Sequence, residues 1–283
     1  LRMGQSEVEW IKRFRKEAEI LANLQHPHVV QLYRVGVNQG RYYLAMEWLE
    51  GGTLEPLLDA PLAQAMPVFL QVVDAVAYLH RRGIIHRDLK PQNVIVTSHG
   101  AKLIDLGLAK NLEASQALTR TGQIMGTLYF LAPELLENVG ADARSDVFSL
   151  GVILYRILSG TYPRSGNTFD DMLRDVRQGK IPPLKCREPD PRNDLLIAAC
   201  LRALARDPGQ RHQDAGELFR SLEAAWKSPA STAAAGEAAG KRRRRLLAGL
   251  TLLALAVAGL AIGGFVLLPH LKKAAPPAAE TVI

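Results

Sequence analysis

Apolar residues recur at helical spacing in several stretches of this chain, and shorter runs of strand character lie between them. Ile11, Phe14, Ala18 and Leu21 fall on one face of a helix predicted from about Ser6 to Leu24. Ser6 and Glu9 give that helix an S-x-x-E capping box, in which each side chain satisfies an amide the first turn leaves open. Gln25 to Tyr33 reads as a loop entering a strand, and Arg41 to Glu47 as a second strand rich in aromatic residues. Residues 61–82 predict a mostly apolar, buried helix. Val94-Ile95-Val96 and Lys102-Leu103-Ile104 read as short strands. The apolar run from Ser145 to about Ser159 predicts a buried helix, too short and too interrupted by Ser149 and Arg156 to cross a bilayer. Gly160-Thr161-Tyr162-Pro163 supplies its stop, and a helix around Glu217–Trp226 closes the folded region.

Beyond it the pattern changes. Residues 228–240 are small and polar, a linker composition. Five basic residues, 241–245, then abut 23 uncharged residues, Leu246 to Leu268. At ~1.5 Å rise per residue, such a helix exceeds a ~30 Å hydrocarbon core, so a single transmembrane α-helix is expected. Two basic residues (Lys272, Lys273) follow the span against five before it. The positive-inside rule therefore places the preceding residues in the cytoplasm and the short tail, 269–283, outside.

Charge follows the same division. The net +7 of the 283 residues is concentrated in 241–283, which hold seven Lys/Arg and one Glu. That leaves 28 basic and 27 acidic residues in the first 240, so no nucleic-acid partner is expected. Cys186 and Cys200 alone form neither a metal-ligand pattern nor a disulfide framework.

The candidate chemistry lies in His86-Arg87-Asp88-Leu89-Lys90-Pro91-Gln92-Asn93, with Asp105-Leu106-Gly107 twelve residues further on. Phosphoryl transfer asks for positioning and charge neutralisation more than covalent chemistry. An Asp can orient an attacking hydroxyl, a Lys supplies a compact positive charge, and Asn and Asp oxygens suit a hard cation such as Mg²⁺. The motif pair resembles the catalytic loop and metal-binding motif of eukaryotic-type protein kinases. Lys90, two after the Asp, is the variant of the serine/threonine class. The resemblance implies Asp88, Lys90 and Asn93 as catalytic residues, Asn93 and Asp105 as Mg²⁺ ligands, and ATP as phosphate donor.

The same resemblance, that of the bacterial transmembrane serine/threonine kinases, extends over residues 1–226. It implies an α+β, two-lobed fold with an incomplete N-lobe. Met46 would be the gatekeeper, with the backbone of Glu47 and Leu49 facing adenine and Ile95 packing beneath it. Leu21, Leu32, His86 and Leu106 match a stacked apolar spine. Glu17 corresponds to the acid of the C-helix. Thr119 and Thr121 resemble an autophosphorylated pair with Arg87 as counter-charge, which makes a transient homodimer for trans-phosphorylation plausible. Thr127 fits the threonine that bonds the catalytic Asp and Lys. Asp146 would hold the catalytic loop, and Arg211 would pair with Glu134 of Ala132-Pro133-Glu134. No Gly-x-Gly-x-x-Gly loop or Val-Ala-x-Lys strand precedes Glu17. The sequence thus leaves two expectations open: a fragment of a longer active kinase, or a membrane-anchored pseudokinase that binds partners without catalysis.

Overall fold

The computed structural model describes residues 21–38, 41–106, 128–137, 140–164, 169–179 and 181–228. Glu17, Thr119, Thr121, Thr127 and the predicted span at 246–268 lie outside the described residues.

Leu21 and Ala22 are helical, and the chain turns at Asn23. Strand β1 (Leu32–Asn38) pairs antiparallel with β2 (Arg41–Met46), from Leu32 opposite Met46 to Asn38 opposite Arg41. A second antiparallel sheet has the order β3 (Gly51–Thr53), β4 (Val94–Thr97), β5 (Gly100–Leu103). Its register sets Ile95 between Thr53 and Lys102. Only glycine fits at Gly51, because a Cβ there would lie 2.1 Å from the Val96 carbonyl oxygen. The loop after the first helical turn is stitched to this sheet. Leu103 N–H donates to His28 O at 2.8 Å and Val30 N–H to Leu103 O at 2.9 Å.

The helical body comprises α1 (Leu62–His80), α2 (Ala143–Ser159), α3 (Phe169–Gln178), α4 (Asn193–Ala203) and α5 (Ala215–Lys227). Helices α1 and α2 carry most of the core. Met66, Phe69, Val73, Val76 and Leu79 of α1 are shut off from solvent, as are Val147, Leu150, Ile153 and Leu154 of α2. Each apolar side chain of this size contributes about 1.5–3 kcal/mol when fully buried. Among the described residues α1 alone is long and apolar enough to cross a membrane, but it is packed inside the domain as a core helix. Asp142 caps α2 by accepting the Arg144 N–H at 2.8 Å. Gly160 ends it in the left-handed region at φ 78°, the stop its sequence signals.

Candidate active site

His86 to Asn93 form an irregular loop between α1 and β4, closed by a 3₁₀ turn over Pro91–Asn93. Such a loop has no ladder to satisfy its amides, so other groups must. Asp146, in the first turn of α2 and 1% exposed, takes that role. Its Oδ2 accepts the His86 N–H at 2.8 Å and its Oδ1 the Arg87 N–H at 2.9 Å. His80, the last residue of α1, adds a contact the sequence did not reveal. Its Nδ1 accepts the Ala215 N–H at 3.1 Å, so its Nε2 donates to Asp146 Oδ2 at 2.9 Å. One buried carboxylate thereby joins the end of α1, the loop, α2 and the start of α5.

His86 is fully buried. Asp88 N–H donates to its Nδ1 at 3.3 Å, which leaves Nε2–H to donate to Ile104 O at 3.1 Å. Burial pushes its pKa below the ordinary histidine value, although Asp146, the Ile104 carbonyl, Asp88 and Asp105 pull the other way. The ring is a neutral strut between the two motifs. Of the expected spine, Leu21 and Leu32 belong to the core, and Leu106 packs against it partly buried.

The loop brings three of the expected catalytic side chains together. Lys90 Nζ lies 3.1 Å from Asp88 Oδ2. Asn93 Nδ2 donates to the Asp88 carbonyl at 2.7 Å and to its carboxylate at 3.1 Å. Because Asn93 spends its amide nitrogen on Asp88, its Oδ1 is the atom it can offer to a cation. Ile104 N–H donates to Asn93 O at 2.9 Å, which sets exposed Asp105 beside the loop. Two hard oxygen donors held by adjoining backbone suit Mg²⁺.

Arg87 (φ 66°) and Asp105 (φ 60°) are the two non-glycine residues in the left-handed region among the described residues. Each costs on the order of 1–2 kcal/mol, and such strain concentrates at functional sites. Arg87 carries a second sign of specialisation: its Nε is buried with no partner among the described residues.

The Met46–Leu49 segment continues from the end of β2. Met46 is 45% exposed, and Leu49 and Ile95 are half-buried. Glu47 N–H donates to Gln31 O at 2.9 Å, while its Oε1 accepts the Gln31 N–H at 2.7 Å and Lys102 Nζ at 2.8 Å. The Lys102 brace, from β5 to this segment, had no signal in the sequence beyond strand alternation.

Glu134 sits in a 3₁₀ turn over Pro133–Glu137. Arg211 clasps it with two parallel bonds of 2.8 and 2.9 Å. The remaining Arg211 donors go to the carbonyls of Ala205, Arg144 and Arg206, so its five N–H groups are all used. Burial tends to raise the Glu134 pKa, but the Arg211 bonds and the Ser145 hydroxyl at 2.9 Å outweigh it and hold the carboxyl below its ordinary value. A pair so buried and so fully bonded fixes geometry better than a surface pair does.

A loop carboxylate bonded to Lys and Asn, tied to the same helix that carries a buried Glu–Arg clasp, is the arrangement of a protein kinase catalytic domain. The chain belongs to that family: the protein kinase domain model matches residues 2–220. It is 34% identical over 229 residues to a protein named "probable serine/threonine-protein kinase" in Clostridium perfringens, covering 78% of this chain and 33% of that one. It is 33% identical over 224 residues to serine/threonine-protein kinase PrkC of Bacillus subtilis, covering 77% and 34%. With serine/threonine-protein kinase PknB of Mycobacterium leprae it shares 37% over 220 residues, covering 74% and 35%. The chain spans about a third of the length of these curated relatives.

Proposed function

We propose that this chain is the catalytic part of a membrane-anchored serine/threonine protein kinase that transfers the ATP γ-phosphate to protein hydroxyls. The observation that carries the reading is the Asp88–Lys90–Asn93 cluster, held by Asp146 on a buried helix. Asp88 accepts a hydrogen bond from the incoming Ser/Thr hydroxyl and orients it toward the phosphorus. Lys90 neutralises charge on the phosphoryl group in flight, and its 3.1 Å contact with Asp88 keeps it there before substrate arrives. Asn93 and Asp105 would hold Mg²⁺, which neutralises phosphate charge when bound. Since the Glu47 N–H is already given to Gln31, adenine would meet the Glu47 carbonyl and the Leu49 backbone, with Met46 behind and Ile95 beneath. Thr127 would bond Asp88 and Lys90.

Regulation follows from Arg87. A guanidinium with an unmatched buried Nε beside the catalytic Asp is a counter-charge for an acidic group. Phosphate on Thr119 or Thr121, added in trans by a second copy, brings about −1.5 to −2 charges and would pair with that guanidinium. Glu17 would complete the nucleotide site from its helix. Residues 1–226 form the kinase domain, 227–245 a linker with a basic end, 246–268 a single span and 269–283 an extracytoplasmic tail.

The test is phosphate transfer from γ-labelled ATP to Ser/Thr of a general protein acceptor by the full-length protein. Asp88→Asn is expected to remove transfer by several orders of magnitude while the far-UV spectrum stays unchanged. Transfer that survives Asp88→Asn would remove Asp88 from the catalytic role, and a wild type that binds partners yet transfers nothing would replace this reading with the scaffold one.

A further inference from the structure

The β1–β2 ladder sets Leu32 opposite Met46, so its next rung brings Gln31 opposite Glu47. In a hydrogen-bonded antiparallel rung the two residues exchange both backbone bonds. Only half of that exchange forms here. Glu47 N–H donates to Gln31 O at 2.9 Å, but the Gln31 N–H turns to Glu47 Oε1 at 2.7 Å. The carboxylate has taken the place of its own main-chain carbonyl. Among the described residues no backbone N–H goes to Glu47 O. A strand-end carbonyl released from its ladder still needs a donor, and a ligand can supply one.

Two features hold the carboxylate in the rung. Gln31 is itself fixed, since its Nε2 donates to Ala22 O at 3.2 Å and to Leu32 O at 3.1 Å. Its N–H therefore stays where Glu47 Oε1 can accept it. Lys102 Nζ donates to the same Oε1 at 2.8 Å and lies 3.5 Å from Val29 O. With the Lys102 and Glu47 side chains 21% and 19% exposed, water screens this pair less than a surface pair. Lys102 also stands directly opposite Ile95 across β4 and β5, so both side chains share one face of the sheet. The brace thus springs from the face that carries the floor proposed for adenine.

We propose that the Glu47 carboxylate and Lys102 are positioning residues for the adenine 6-amino group. The carboxylate fills the rung, Lys102 keeps it there, and the Glu47 carbonyl stays free to accept from that amine. This rests on the kinase reading above. The carboxylate faces Gln31 and Lys102, so its effect reaches the base through the main chain.

The test titrates the full-length protein by calorimetry with ATP and with purine riboside 5′-triphosphate, which lacks only the 6-amino group. The ratio of the two affinities isolates the amine, whereas a general loss of structure weakens both nucleotides alike. Wild type is expected to prefer ATP about tenfold, the worth of one well-placed hydrogen bond. Glu47→Leu lets the Gln31 N–H take the main-chain carbonyl and should bring the ratio close to one. Lys102→Met should cut the ratio about threefold in wild type and not at all in the Glu47→Leu background, because it acts through Glu47. Glu47→Gln, which keeps an acceptor oxygen in the rung, should hold most of the preference. A ratio left unchanged by Glu47→Leu overturns the proposal, as does a Lys102→Met variant that weakens both nucleotides equally. A wild type that binds the two equally overturns it too. A wild type that transfers no phosphate would sink the kinase reading instead, and the affinity ratio would then judge Glu47 and Lys102 by itself.

Discussion

At the scale of single residues, the site rests on buried polar groups that are satisfied almost atom for atom. Asp146 accepts three hydrogen bonds and Arg211 donates five, and both are sealed from solvent. His212, next to Arg211, is the contrasting case. It is 1% exposed, its Nδ1 has no partner among the described residues, and burial together with Arg202 pushes its pKa down to about 4. A histidine held neutral in the fold has a definite pH consequence. Below its ordinary value of about 6.5 the unfolded chain takes up a proton that the folded chain refuses, so stability is lost as pH falls toward 4. Each pH unit in that window costs at most about 1.4 kcal/mol. Denaturant midpoints at pH 7 and pH 5 should therefore fall more steeply for wild type than for His212→Leu. Equal slopes in the two proteins would show that His212 does not drive the loss.

At the scale of elements, α1 and α2 are the frame, and the short strands are adjusters. Both helices were legible because their apolar runs are long, and the stop at Gly160 was legible because only glycine suits that φ cheaply. The edges of β3 were less so, since a Gly-Gly pair signals a turn as readily as a strand. Gly51 turns out to be a strand residue pressed against the Val96 backbone. Gly51→Ala should force β3 from β4 at a cost of about 1–3 kcal/mol, the range for overpacking a tight site. The check is thermal unfolding followed by circular dichroism, and a Tm equal to wild type would refute it. Because β4 carries Ile95, the same substitution should loosen the floor proposed for adenine.

At the scale of the whole molecule, the catalytic domain and the charged, apolar tail speak to different surroundings. The 23 uncharged residues after Lys241–Arg245 predict that the full-length protein stays in the membrane pellet after alkaline carbonate washing. The same protein ending at Lys227 should move to the supernatant. Recovery of the full-length protein in the wash would remove the span from the proposed layout.

Local chemistry was readable in the order of residues alone. Asp88, Lys90, Asn93 and Asp105 stand at fixed short spacings because one loop and one strand pair carry them, and short spacing survives in sequence. Partners far apart in the chain and lacking a motif did not. His80 meets Ala215 across 135 positions, Lys102 meets Glu47 across 55, and Arg164 reaches back 33 to 36 positions to three backbone carbonyls. A carbonyl leaves no residue-type signature, so nothing in the letters around Arg164 announces those bonds. Which side chain fills a buried polar gap is decided only when helices pack and the gap acquires a shape, because hydrogen bonds act over about 3 Å and sequence separation has no bearing on that distance.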